Sequence, residues 1–185
     1  MEVTAGRPHG ARRLQVFVCA VALLVIGATG RAEPVASSQT GTEHPRSNQP
    51  PTILFMCPHG AAKSVLASAY FQRRAKERGL NVHVEAAGTE PDATVSPAVA
   101  AHLKGQGYAV PIAKPRKVTP EEFAAADVVI SIGCELGALP QPRGRLVRWD
   151  DVPAPSDGFT AADEAIRARV IALVDELIRS MPTTK

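Results

Sequence analysis

Cys57 closes the apolar run Ile53–Met56, and Lys63 and Ser64 follow it after only five residues, Pro58, His59, Gly60, Ala61 and Ala62. Those five are small or turn-prone, and a helical pattern begins where they end. Strand, tight loop and helix together make a geometry that binds anions. The backbone amides of His59, Gly60, Ala61, Ala62, Lys63 and Ser64 can curl round a ligand, and the helix N-terminus adds partial positive charge. Pro58 supplies no N–H. A cysteine at the mouth of such a loop has its thiolate stabilised by the same groups. Free thiols titrate near about 8.5, and such settings bring them down to roughly 3.5–7.5. The chemistry on offer is a nucleophile beside a bound oxyanion.

The elements that position this loop follow from periodicity. "TILFM" suits a strand buried on both faces. "SVLASAYFQRRAKERG" reads as a helix with Val65, Ala69 and the stretch Phe71 to Ala75 on its apolar side and Gly79 just past its end. "NVHVEAAG" alternates like a strand. "SPAVAAHLKGQG" reads as a helix with Pro97 in its first turn and Gly105 or Gly107 at its end. Thr119 and Glu122 form a capping box on a short helix, "TPEEFAAA". "DVVISI" and "RLVRW" read as two further strands. The last helix is expected to be capped by Thr160, with Asp163 at its third position and Ile166, Val170, Leu173, Val174 and Leu177 facing inward. Strands alternating with helices predict an α/β three-layer sandwich with a four-stranded parallel sheet. Sites in such folds lie at the carboxyl ends of strands near a switch in strand order. Cys57, and Cys134 just past "DVVISI", both fall at such ends.

The rest of the 185-residue chain sets limits. Arg12 and Arg13 precede an uncharged run, Leu14 to Ala28, and then small residues, which reads as a secretory signal over 1–32 cut after Gly30 or Ala32. The rival is an uncleaved membrane anchor, for which the run is short. Residues 33–51 are rich in Pro, Ser, Thr and Gln and read as a disordered linker, leaving a domain over 52–183. A periplasmic or secreted location is expected. The chain has 21 basic and 18 acidic residues, and residues 1–32 hold four arginines against Glu2 alone, so the remainder balances at 17 of each. The apparent basicity belongs to the export segment, and an aromatic content of 4% argues against base stacking. A nucleic-acid partner is not expected, nor is a membrane contact beyond the N-terminal signal.

"CPHGAAKS" resembles the C-x5-R-[ST] loop of the low-molecular-weight protein tyrosine phosphatases and of their relatives, the thioredoxin-coupled arsenate reductases. The likeness extends from Thr52 to the last helix: "EAAGTEP" is similar to the family's "SAGT" segment and "ADVVISI" to its next strand. The resemblance implies that Cys57 forms a phospho-cysteine or arseno-cysteine and that the Ser64 hydroxyl bonds the thiolate. It implies that His59 matches the C-x-H-N variant of the reductases, and that Gly60 replaces an asparagine held in a left-handed conformation, which glycine adopts without strain. Lys63 stands where the family has arginine. A compact ammonium cannot grip two oxygens as a planar fork does, and loss of such a donor costs on the order of 10²–10³ in rate.

The resemblance also implies a general-acid aspartate in an Asp-Pro pair before the last helix. "RWDDVPAPSDGF" has no such pair. Asp150, Asp151 or Asp157 could serve, with Asp151 favoured, or Ala154 has replaced the acid. Trp149 beside them is expected to pack. Cys134 resembles the single survivor of the reductases' resolving cysteines. Cys57, His59 and Cys134 could also hold a soft metal ion, but the favoured chemistry needs neither metal nor cofactor. His83 and His102 are expected to be core or surface residues. The favoured expectation is phosphomonoester hydrolysis through Cys57, with Lys63 and Asp151 assisting. The alternatives are a thiol-dependent arsenate reductase using Cys57 and Cys134, and a non-catalytic oxyanion- or phosphoprotein-binding module.

Overall fold

The computed structural model describes residues 49–180. The expected export segment, nearly all of the linker and the last three residues of the 52–183 domain lie outside the described residues. Within them the order is β1 (Thr52–Cys57), α1 (Lys63–Glu77), β2 (His83–Gly88), α2 (Pro97–Gly105), α3 (Pro120–Ala125), β3 (Val128–Ser131), β4 (Arg145–Arg148) and α4 (Phe159–Ser180). The four strands form one parallel sheet in the order β2-β1-β3-β4. β1 is therefore flanked on both edges, which is why Ile53 to Met56 are apolar and fully buried.

Alternate residues of β1 serve opposite faces of the sheet. Phe55 meets Phe71 of α1, with ring centroids 5.4 Å apart. Leu54 shares the wall of a cavity with Glu122 and Ala125 of α3. Helices thus cover both faces, and the three-layer α/β sandwich expected from the alternation is what forms. The strand order switches at β1, whose neighbours β2 and β3 lie on either side. The carboxyl end of β1 is where such sheets place ligands, and Cys57 is its last residue.

Local signals act as read at several points. Thr119 and Glu122 make a reciprocal capping box on α3. Gly79 and Gly107 close α1 and α2 with positive φ, and Leu80 and Tyr108 donate back to Ala75 and Leu103 at 2.8 Å. One expectation needs correction. α4 begins at Phe159, so Thr160 lies inside its first turn, and Asp163 does not cap it. The Asp163 carboxylate instead accepts from Tyr70 Oη and Arg167 Nε, a tertiary use that outweighs local capping. The inward face of Ile166, Val170, Leu173, Val174 and Leu177 is buried as expected.

Candidate active site

The loop from Cys57 to Ser64 is held by its outer side. The carbonyls of Pro58, His59 and Ala61 accept from the amides of Glu90, Asp92 and Ser96 at 2.8, 3.0 and 2.9 Å. Gly60 N–H closes a tight turn onto Cys57 O at 3.3 Å. The amides of His59, Ala61, Ala62 and Lys63 have no acceptor among the described residues. Ala62 is the N-cap of α1, with no side-chain cap, and the first turn carries no acidic residue. A helix start left uncapped beside free amides is an anion cradle.

Glycine at 60 is required twice over. Its φ is +59°, and a Cβ there would lie 2.9 Å from Gly88 N at the end of β2. Gly88 answers in kind: a Cβ on it would meet Gly60 N at 2.6 Å and Pro58 O at 2.8 Å. Backbone therefore packs on backbone, which fixes the curl of the loop.

Cys57 is 3% exposed. Its Sγ lies 3.2 Å from Ser64 Oγ and accepts from Ser64 N–H at 3.5 Å. Ser64 is itself fully buried, so its hydroxyl is committed to the thiol. The Lys63 side chain turns toward the carboxyl ends of β3 and β4. Nζ donates to Val152 O at 3.5 Å, and a Cβ on Gly133 would lie only 2.9 Å from it. Gly133, at φ +64°, thus leaves room for the ammonium.

Cys134 is buried next to that ammonium. Burial first, and then the charge of a Cys57 thiolate, push its thiol up to about 11. The polar groups of Ser131 and Ile132 and the charge of Lys63 work the other way and are outweighed. Ser131 Oγ is buried with no partner within hydrogen-bond distance.

The remaining sequence candidates are placed elsewhere. His59 is exposed, and its Nδ1 lies 3.4 Å from Asp92 at the surface, so its amide rather than its ring belongs to the loop. Asp151 is 76% exposed and accepts from Arg169 Nη2. Asp150 accepts from Arg148 Nε at 2.7 Å, and Asp157 from Ser156 Oγ at 3.1 Å. Ala154 sits in the turn that Asp157 N–H closes. Trp149 packs on Phe55, as expected of a core residue. His83 pairs with Glu85 at the surface, and the His102 ring lies against Phe159. No group of three His, Cys, Asp or Glu side chains among the described residues is arranged to hold a metal. Sequence reading missed Gly88, Gly133 and the Val152 carbonyl. Gly88 falls within the quoted "EAAGTEP", but its close approach to the loop is a tertiary fact.

A central parallel strand delivers the Cys57 thiol to an uncapped helix start, the arrangement that the resemblance to cysteine-dependent phosphatases and reductases leads one to expect. Residues 52–139 match the model of the low molecular weight phosphotyrosine protein phosphatase family, and the proteins the domain is similar to include both such phosphatases and arsenate reductases. A Halobacterium salinarum protein named "Putative arsenate reductase" is 29% identical over 127 residues, 66% of this chain and 89% of that protein. The thioredoxin-dependent arsenate reductase of Corynebacterium glutamicum is 29% identical with a TM-score of 0.64. The match covers 73% of this chain and 65% of that one, so the chain spans somewhat less than two thirds of that reductase. A low molecular weight phosphotyrosine phosphatase of Vibrio cholerae O395 shares the fold at 20% identity and TM-score 0.62, over 71% of this chain and 99% of its own.

Proposed function

We propose that the protein hydrolyses phosphomonoesters through a phospho-cysteine intermediate. The observation that carries this reading is the set of free amides at His59, Ala61, Ala62 and Lys63 facing no other acceptor, with the Cys57 thiol bonded to Ser64. The amides hold the phosphoryl oxygens. Cys57 Sγ attacks phosphorus, and the alcohol leaves with its oxygen. Water then attacks the phospho-cysteine, releasing phosphate and the thiolate. Lys63 adds charge from the side of Gly133 and Val152, without an arginine's second donor. With Asp150, Asp151 and Asp157 each bonded to a neighbouring side chain, the reading favours aryl esters, whose leaving groups depart without protonation. The export signal read in residues 1–32 would place this activity in the periplasm or outside the cell. Hydrolysis of an aryl phosphate that persists without added thiol and disappears in Cys57→Ser is the expected result. No hydrolysis by the wild type would overturn it.

A second reading is favoured by the buried Cys134, close enough for a Cys57 thiolate to raise its pKa, and by the 29% identity to the Corynebacterium glutamicum reductase and to the Halobacterium protein named "Putative arsenate reductase". Cys57 would displace hydroxide from arsenate. Cys134 would then attack Cys57 Sγ, forming the disulfide as arsenic(V) leaves as arsenic(III), and an external dithiol would restore both thiols. Turnover that needs both a thiol reductant and Cys134 would select this reading. Tight oxyanion binding without turnover under either condition would select a binding module.

A further inference from the structure

The stripe Tyr70, Arg73, Arg74 and Glu77 occupies one face of α1, at the i, i+3, i+4, i+7 spacing that normally packs on a neighbouring helix. Here it borders a groove of about 170 Å³ against Arg167, Val170 and Ile171 of α4, with Tyr108 at its side. Both of the chain's tyrosines are in this wall. They are spent as supports. Arg167 lies over the Tyr70 ring at 4.1 Å and Arg73 over the Tyr108 ring at 4.7 Å, while the two rings meet edge to face at 4.9 Å. The stack fixes two guanidinium groups at the groove, one from each helix.

The third arginine is under-satisfied. Arg74 Nε is buried with no acceptor, an unusual state for a guanidinium N–H. Its ion pair with Asp175 is long at 3.9 Å, and Arg78 holds the same carboxylate oxygen at 2.5 Å. The one carboxylate lining the groove, Glu77, is taken by Arg73 at 3.0 Å. Asp163 is shared among Tyr70, His102 and Arg167 behind the wall. Three arginines therefore line a small cavity with one acid among them.

We propose that this groove is a second oxyanion site, which takes a phosphate group, free or borne on a side chain, between Arg73, Arg74 and Arg167. Planar forks suit phosphate oxygens. The site lies about 15 Å along α1 from Ser64, at 1.5 Å per residue, so it is separate from the cysteine loop and stands whether or not that loop turns over.

The test reads the arginine Nε–H resonances of the full chain by NMR during titration with inorganic phosphate, with sodium chloride at matched ionic strength as control. The Arg74 resonance should shift saturably with phosphate and not with chloride. Arg73→Gln, at a half-exposed position, should weaken that midpoint about tenfold, and Glu77→Gln should tighten it severalfold. A parallel titration with a short phosphoserine peptide decides the source: saturation at lower concentration than inorganic phosphate means that the group arrives on a side chain, and the reverse means a free ion. An Arg74 resonance that ignores phosphate, or that follows ionic strength alone in all variants, would overturn the proposal.

Discussion

The loops after β1 and after β4 lie at the same edge of the sheet and are built by different rules. The first, Cys57 to Ser64, is fixed by backbone. Three of its carbonyls are tied outward, Gly60 abuts Gly88, and the amides of His59, Ala61, Ala62 and Lys63 are left without acceptors among the described residues. The second, Trp149 to Gly158, is anchored by Trp149 and Val152, while Asp150 and Asp151 go to arginines at the surface. One loop is organised to hold charge and the other to keep its charges in solvent. Only proline removes a backbone amide, so oxyanion binding survives sequence drift better than the side chain that protonates a leaving group. On this comparison the proposed chemistry keeps its backbone donors, with Lys63 in place of a guanidinium fork, and finds in the second loop only aspartates already bonded to neighbouring side chains.

The largest effect should come from the nucleophile. Cys57→Ser should lower aryl-phosphate hydrolysis by at least about 10³-fold, measured at saturating substrate, with phosphate binding retained. Next is the curl of the loop. Gly60→Ala forces a side chain into positive φ and onto Gly88; strain of about 1–3 kcal/mol is expected, and phosphate protection of Cys57 should disappear while the far-ultraviolet dichroism of the fold persists. Lys63→Arg should raise the rate at least about tenfold by restoring a fork, and an unchanged rate would mean that the ammonium near Gly133 plays no part at the loop.

Smaller effects sharpen the contrast with the second loop. Asp151→Asn should change the rate less than about twofold, since an exposed ion pair contributes little. A steep loss with a shifted pH profile would instead make Asp151 the acid. Cys134, with its thiol pushed up to about 11, should be alkylated at pH 8 at least about 100-fold more slowly than a free thiol titrating near 8.5. The same shift bears on stability. An acid whose pKa is raised by folding contributes stability in its neutral form, and that contribution is lost as the pH rises from the unfolded value of 9.0 toward 11. Cys134→Ala should therefore show a shallower fall in stability than wild type over that range.

Much of this was readable from the chain because it depends on local rules. An apolar run ending in cysteine, small residues, then a helical pattern specify a strand, an anion loop and a helix start with little help from the rest of the fold. The Thr119–Glu122 box and the glycines closing α1 and α2 are equally local. What escaped reading depends on partners far away in sequence. Thr160 and Asp163 satisfy the capping pattern, yet Asp163 is claimed by Tyr70, 93 residues away. The destination of the Lys63 ammonium is set by Gly133 and by Val152, 89 residues on. Asp151 offered the right residue type near the right place, but Arg169 on α4 takes its carboxylate to the surface. The position of a side chain at a sheet edge is decided by the loops that converge there, and no single-segment pattern encodes their meeting.

The central claim is that the Cys57–Ser64 loop is a formed oxyanion cradle around a reactive thiolate. Its most direct test is the rate of Cys57 alkylation against pH in the reduced full chain, in a Cys134→Ser background, with and without phosphate or arsenate. The account predicts a reactive thiolate below about pH 7 that either oxyanion protects saturably. A thiol that titrates near about 8.5 and is indifferent to both oxyanions would contradict it.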